Sequence, residues 1–310
     1  FDELFEKTKS LPWETLIEQS GNFPVQGRSV KSTLYSVPDC QAIVKKAIVE
    51  RLKHAYQERG WLSESGAKYP VEIAILKDNA LLTIDTSGSG LNKRGYRLAQ
   101  GEAPIKETLA ASLIRLANWT GDTPLIDPFC GSGTIAIEAC LIAQNIAPGF
   151  NRDFVSEKWD IMPDSLYDEM RDEADQQANY DRELEIYAYD IDPEMIEIAR
   201  RNAEEVGLAD IIQFNVKDVN TLNLDNEKPY ALIGNPPYGE RIGDRDKVEE
   251  MYRYIGLLME KHSQISTYVL TSNTEFEFLV NKKATKRRKL FNGYIECTYY
   301  QYWGDKKPRK

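Results

Sequence analysis

A chain of 310 residues, 42% hydrophobic and 28% charged, has the length of two globular domains and an ordinary water-soluble composition. No run approaches the roughly 18 apolar residues a helical membrane span needs, and no signal peptide opens the stretch. The net charge of −10 argues against a nucleic-acid partner until it is divided: Lys/Arg less Asp/Glu gives +2 over residues 1–100, −20 over 101–280 and +8 over 281–310.

The chain begins on Phe1 rather than methionine and is expected to be a fragment. Its first part has the pattern of a small α/β module. Pro38 to Tyr56 carries Ile43, Val44, Ala47, Ile48 and Leu52 on one face, the 3.6-residue period of a helix, with Asp39 favouring its amino end. Val71 to Leu76 and Ala80 to Ile84, joined by Asp78-Asn79, predict a hairpin. After the Gly/Ser-rich turn at 86–90, Lys93-Arg94-Gly95-Tyr96-Arg97 interleaves cations with an aromatic ring, a mixture suited to tracking a nucleic-acid backbone.

From Pro104 strand and helix alternate, the signature of a doubly wound parallel sheet. Pro104 opens a helix to about Trp119; Pro124 to Asp127 is the first strand and Thr134 to Gln144 its helix. Glu185 to Asp190, Ile211 to Val216, Tyr230 to Gly234 and Thr267 to Thr271 are further strands, with helices after Pro193 and over Lys247 to Lys261. Pro148 to Arg182 is an acidic insertion, in part helical from Met170, Ala174 and Ala178, expected as a surface excursion. Lys289 to Phe291 and Ile295 to Trp303, turning at Asn292-Gly293, predict a terminal hairpin that makes the sheet mixed. Just before it, Lys282, Lys283, Lys286, Arg287, Arg288 and Lys289 could neutralise phosphates.

Two strand ends carry the chemistry. Asp127-Pro128-Phe129-Cys130-Gly131-Ser132-Gly133-Thr134 is a strand-to-helix loop whose glycines admit a ligand and whose helix amino end offers N–H groups to an anion. With Ala136 it satisfies a dinucleotide-binding pattern. A nicotinamide cofactor is nonetheless disfavoured. Asp127 would repel a pyrophosphate, and Asp190 lies far past the usual 20-residue spacing; Asp153 meets that spacing but has no strand before it. The strand ends describe another ligand: Asp127 for an ammonium, Asp190 for ribose hydroxyls, Ile191 for a sugar or base, Asp218 beside Val219 for an adenine amine. Amino acid, ribose and adenine together make S-adenosylmethionine (SAM). Asn235-Pro236-Pro237-Tyr238 ends another strand; its prolines hold one shape, so an amide and two donor-free carbonyls suit a planar NH2 group with a ring on its face. The four cysteines, Cys40, Cys130, Cys140 and Cys297, lack metal-ligand spacing, which predicts a reducing, cytoplasmic setting and no metal.

These two motifs, extended by Gly239-Glu240-Arg241, resemble the class I SAM-dependent RNA methyltransferases that carry a THUMP domain, and most of all the bacterial 23S rRNA guanine-N2 methyltransferase group. Ser36-Val37-Pro38-Asp39-Cys40 with its helix resembles the second half of a THUMP domain, and Arg94-Gly95-Tyr96-Arg97 the segment leading into the catalytic domain. The resemblance implies a Rossmann-like methyltransferase sheet at 94–310, with the insertion at 148–182, after a THUMP-like RNA-binding module at 1–93 truncated at its amino end. It implies methyl transfer to the N2 amine of a guanine in ribosomal RNA, with S-adenosylhomocysteine as product and no obligate protein partner. Expected cofactor contacts are Asp127, Phe129, Gly131, Gly133, Thr134, Asp190, Ile191, Asp218, Val219 and Asn235; expected RNA contacts are Arg94, Tyr96, Arg97, Lys282, Lys283, Arg287 and Arg288. The same loop chemistry would serve an adenine N6 methyltransferase or a protein glutamine methyltransferase, and a silent RNA-binding scaffold is the non-enzymatic alternative.

Overall fold

The computed structural model describes residues 1–98, 104–226, 228–238 and 245–305, so the Gly239-Glu240-Arg241 end of the second motif lies outside the described residues. The chain forms two compact units, Phe1–Leu91 with Asp153–Asp172, and Asn92–Arg152 with Glu173–Lys310.

The first unit contains α1 (Asp2–Lys9), β1 (Val25–Val30), α2 (Val37–Ala55), β2 (Val71–Leu76) and β3 (Asn79–Ile84). Pro38 in the first turn of α2 costs no hydrogen bond there, and Cys40, Val44, Ala47, Ile48 and Leu52 give the helix one buried stripe. The hairpin β2–β3 forms as expected, and β1, which has no apolar run to announce it, adds parallel to β2 from Val25↔Val71 to Val30↔Leu76. The insertion corrects the expectation of a surface excursion. Trp159 is buried in the core of this unit, stacked on Tyr69 with ring centroids 4.9 Å apart, and its indole N–H donates to the Lys68 carbonyl at 2.8 Å. Two large rings remove far more apolar surface from water together than an acidic loop would apart.

The second unit is a seven-stranded sheet built from β4 (Leu125–Asp127), β5 (Ile186–Asp190), β6 (Ile212–Val216), β7 (Tyr230–Gly234), β8 (Ile265–Thr271), β9 (Lys286–Asn292) and β10 (Ile295–Tyr302). The order is β6-β5-β4-β7-β8-β10-β9, with β4 to β8 parallel and β10 antiparallel to both β8 and β9. Strand alternation supplies two apolar faces. Leu125, Ile233, Leu270 and Tyr299 enter one core, with residues of α3 (Glu107–Ala117), α4 (Thr134–Ala143) and α6 (Pro193–Glu204). Their neighbours Ile126, Leu232, Val269 and Tyr300 enter the other, with α7 (Arg245–Lys261) and α8 (Phe276–Leu279). In the insertion between α4 and α6, helix α5 (Leu166–Gln177) buries no residue. Among the described residues no helix is long and apolar enough to cross a membrane.

The order of strands reverses between β4 and β7: the chain runs outward from β4 through β5 and β6, then restarts at β7 on β4's other side. A crevice opens where such neighbours lead away in opposite directions. The two chemical motifs are the loops leaving these two strands.

Candidate active site

A groove of about 870 Å3 lies at those carboxyl ends. Its wall includes Phe129, Gly131, Thr134, Asp190, Ile191, Asp218, Val219 and all of Asn235, Pro236, Pro237 and Tyr238. The structure thus brings the two motifs into one site, as the sequence predicts, although a hundred residues of chain separate them. Asp127 and Gly133 do not line the groove; Asp127 is wholly buried.

The glycine loop is held by backbone and side chain alike. Gly131 N–H donates to Asp190 Oδ2 at 2.9 Å, Cys130 N–H to the Tyr189 carbonyl at 2.9 Å, and Asn202 Nδ2 on α6 to the Ser132 carbonyl at 3.0 Å. Gly133 sits at φ +81° as the first residue before α4, where a side chain would strike Ala199 at 3.0 Å, so the loop packs directly on α6. Gly131, at φ +50°, has nothing within 4 Å of where a Cβ would stand. Asp127 Oδ1 accepts from Phe129 N–H at 3.2 Å, while Oδ2 has no partner among the described residues. Burial pushes this carboxyl up to about 8, opposed in part by the Phe129 N–H and assisted by the negative charge of Asp190. A buried acid with an orphaned oxygen, beside a glycine facing open space, fits the ammonium and carboxylate of an amino-acid moiety. Further along the wall, Asp218 Oδ1 caps a turn by accepting from Asn220 N–H at 2.9 Å, and Asn220 Oδ1 is itself buried with no partner among the described residues. These acceptors suit the amine and hydroxyls of a nucleoside.

The opposite loop is buttressed from three directions. Gly234 leaves room for Phe129, whose ring would meet a Cβ there at 3.1 Å, so the two motifs touch. Tyr252 on α7 donates to the Pro237 carbonyl at 3.4 Å and shares a 2.9 Å bond with Thr271. Tyr238 is half-buried, and its hydroxyl donates to Asn235 Oδ1 at 2.7 Å. Burial, and next its contact with Cys297, hold that hydroxyl well above the usual tyrosine range, so it keeps its proton.

The segment 94–97 corrects the sequence reading. Tyr96 is 1% exposed and donates to Glu138 at 3.0 Å; Arg94 pairs with the same carboxylate at 3.4 Å. Arg97 pairs with buried Glu107 at 3.2 Å and donates to Thr134 Oγ1 and the Ile105 carbonyl, both at 2.8 Å. These side chains face inward because Glu138 and Glu107 lie on the buried faces of α4 and α3 and need cations there; Arg94, Tyr96 and Arg97 are not a nucleic-acid surface. Of the carboxyl-terminal cluster, Lys282 and Lys283 are exposed, Arg287 is bound to Glu277 through Nε at 2.9 Å, and Arg288 is half-buried. Sequence reasoning missed Lys217, Asn220, Asn292, Ile295 and the α7 residues Lys247, Glu250 and Met251, all in the groove wall. For Asn292 and Ile295 a signal existed: a hairpin strand added antiparallel beside β8 must turn at the carboxyl end of the sheet.

A parallel sheet of this order, with an antiparallel hairpin at one edge and a cofactor loop facing an amine-binding loop across the switch point, is the fold and site of a class I SAM-dependent methyltransferase. The family model for the RMKL-like methyltransferase domain matches residues 94–301, and the chain belongs to that family; the THUMP domain model matches residues 1–85. The chain is 58% identical over its whole length to "Putative RNA methyltransferase YpsC" of Bacillus subtilis, spanning 80% of that protein. It is 34% identical, over 97% of its length, to "Ribosomal RNA large subunit methyltransferase K/L" of Psychromonas ingrahamii, and spans only 41% of that longer protein. Among solved structures, one described as "a predicted N6-adenine-specific DNA methylase" from Listeria monocytogenes is 55% identical with a TM-score of 0.93, over 98% of this chain and 79% of that one. SMU.472, described as "a putative methyltransferase complexed with SAH", is 44% identical with a TM-score of 0.93, over 99% and 81%. SAM is accordingly the methyl donor of this enzyme.

Proposed function

We propose that the protein methylates the exocyclic N2 amine of a guanine in RNA, with large-subunit ribosomal RNA as its substrate in the cytoplasm. The observation that carries the reading is the Asn235–Tyr238 loop set across the switch point from the glycine loop, in one groove. RNA is supported by the THUMP match and by the names of the K/L relatives and YpsC. Guanine is supported by the likeness of both motifs to the guanine-N2 group.

In this reading Phe129, Gly131 and Thr134 frame the amino-acid end of SAM, buried Asp127 behind them favours its ammonium by charge, and Gly133 seats the loop on α6. Asp190 accepts from the ribose, Ile191 packs on it, and Asp218 with Val219 receives the adenine. When bound, SAM supplies an electrophilic methyl group. The target base leaves its stack at a cost of a few kcal/mol, of which stacking on Tyr238 returns about 1–3. Asn235 Oδ1 and the Pro236 carbonyl accept the two amine hydrogens and so turn the nitrogen lone pair toward the methyl group.

The test incubates the enzyme with labelled SAM and undermodified ribosomal RNA, then identifies the labelled nucleoside by mass. N2-methylguanosine is the expected product. Label in N6-methyladenosine would support the second reading, which the description of the Listeria relative favours; label in protein alone overturns the RNA assignment.

A further inference from the structure

The terminal hairpin enters the site at one atom. Because β10 runs antiparallel to β8, with Thr298 opposite Thr271, the turn between β9 and β10 emerges past the carboxyl end of β8, beside the loop that leaves β7. Asn292 and Ile295 pair across this turn and line the groove, and Gly293 at φ +63° makes the reversal possible. Asn292 Nδ2 lies 3.3 Å from Tyr238 Oη, and Cys297 Sγ lies 3.5 Å from the same atom.

A tyrosine hydroxyl has one hydrogen to give and two lone pairs with which to accept. With the Asn292 amide donating to Tyr238, and the Cys297 thiol within reach of both Tyr238 and the Ile295 carbonyl at 3.7 Å, the one tyrosine hydrogen goes to its shortest partner, Asn235, at 2.7 Å. Only an oxygen can receive it, so the Asn235 amide stands with Oδ1 on the tyrosine side. That oxygen retains a second lone pair. Were both amides turned round, Tyr238 would donate to Asn292 and Asn235 would present NH2, a donor facing a substrate that is itself a donor.

We infer that Asn292 is a positioning residue for methyl transfer: through the Tyr238 hydroxyl it fixes the direction of a hydrogen-bond chain that leaves Asn235 offering an acceptor to the incoming amine. The inference rests on the proposed amine methylation. It separates two jobs on one ring, the Tyr238 face for stacking and the Tyr238 hydroxyl for orienting Asn235.

Reversing the donor tests this. In Asn292→Asp the carboxylate can only accept, so it draws the hydrogen bond of the Tyr238 hydroxyl to itself and the Asn235 amide turns over. The wild type, N292D and N292A are assayed from about pH 5.5 to 8.5 on undermodified ribosomal RNA with labelled SAM, with SAM affinity measured separately. The expected result for N292D at the alkaline end is a fall in kcat of about tenfold or more, with SAM Kd within about twofold of wild type. Relative to wild type, its kcat recovers as pH falls and the new acid, raised by partial burial, regains a proton to donate. N292A loses about threefold in kcat at every pH, with KM for RNA unchanged. Wild-type kcat in N292A, or an N292D defect that acid does not relieve, overturns the inference while leaving the methylation itself standing. A wild type that labels no RNA overturns the functional reading, and the inference with it.

Discussion

Two stretches of this chain have nearly the same composition and opposite fates. Residues 93–97 and 282–289 are both cations set around small or aromatic residues, and either could track a phosphate backbone. Arg94 and Arg97 are drawn into the second unit by Glu138, 1% exposed, and Glu107, 3% exposed. Lys282 and Lys283 precede an edge strand and stay in solvent. What separates them is the position of the partner acids. Glu138 lies in the middle of a helix that is apolar on every side, where an uncompensated charge is costly, and burial still holds its carboxyl above the ordinary value against the opposing Arg94 and Tyr96.

The contrast can be broken most directly at Arg97. Arg97→Ala strands Glu107 in the core and should cost about 3–5 kcal/mol in denaturant unfolding; a destabilisation no larger than that of a surface lysine variant would show the pair to be dispensable. A residue that is neither a buried counter-ion nor a surface cation should behave differently from both. Asn235→Ala is expected to lower kcat by about 100- to 1,000-fold, with the unfolding midpoint and SAM affinity unchanged, and retained turnover would remove Asn235 from the mechanism.

Asp127 sharpens the comparison from the acid side, since it is buried like Glu138 but, among the described residues, has no cation beside it. Its folded carboxyl near 8 lies above the usual 3.8, so the stability tied to its protonated form is complete at low pH and is lost as pH rises toward 8. Asp127→Asn should therefore stabilise the free protein most at pH 8, the gain narrowing on acidification. In the wild type, SAM binding should expel a proton, tightening by up to about tenfold per unit between pH 6 and 7.5; calorimetry in buffers of different ionisation heat reads that proton directly. The smallest effect is expected on the exposed side. Lys282→Ala with Lys283→Ala should leave stability within about 0.5 kcal/mol and lower the logarithmic salt slope of RNA affinity by about 0.7 for each phosphate no longer neutralised. An unchanged slope would place RNA elsewhere.

The sheet was legible because its parallel strands are apolar runs closed by marked helix starts. Pro193 after Asp192, whose side chain accepts from Glu194 N–H at 2.8 Å, is one such start, and the strands at 71–76 and 230–234 have the expected bounds. The groove wall was legible where it comes from a motif, as with Asp190, Asp218 and Asn235. It was not legible where a side chain works through a distant partner. Nothing near Asn292 announces Tyr238, 54 positions earlier, and nothing in 93–97 announces that its partner acids come later on the buried sides of α3 and α4. β1 was missed for a related reason: Val25-Gln26-Gly27-Arg28-Ser29-Val30 has a valine only at each end, and its strand character comes from pairing with β2.

Trp159 places a constraint on synthesis. The first unit takes part of its core from residues 153–172, so a ribosome that has made residues 1–91 has not yet made all of the module those residues belong to. At elongation rates of about 5–20 residues per second the missing piece follows several seconds later, behind β4 and α4 of the catalytic sheet. The two units are thus interleaved in time as well as in sequence, and a single cut near residue 92 would yield a first fragment without the ring that stacks on Tyr69.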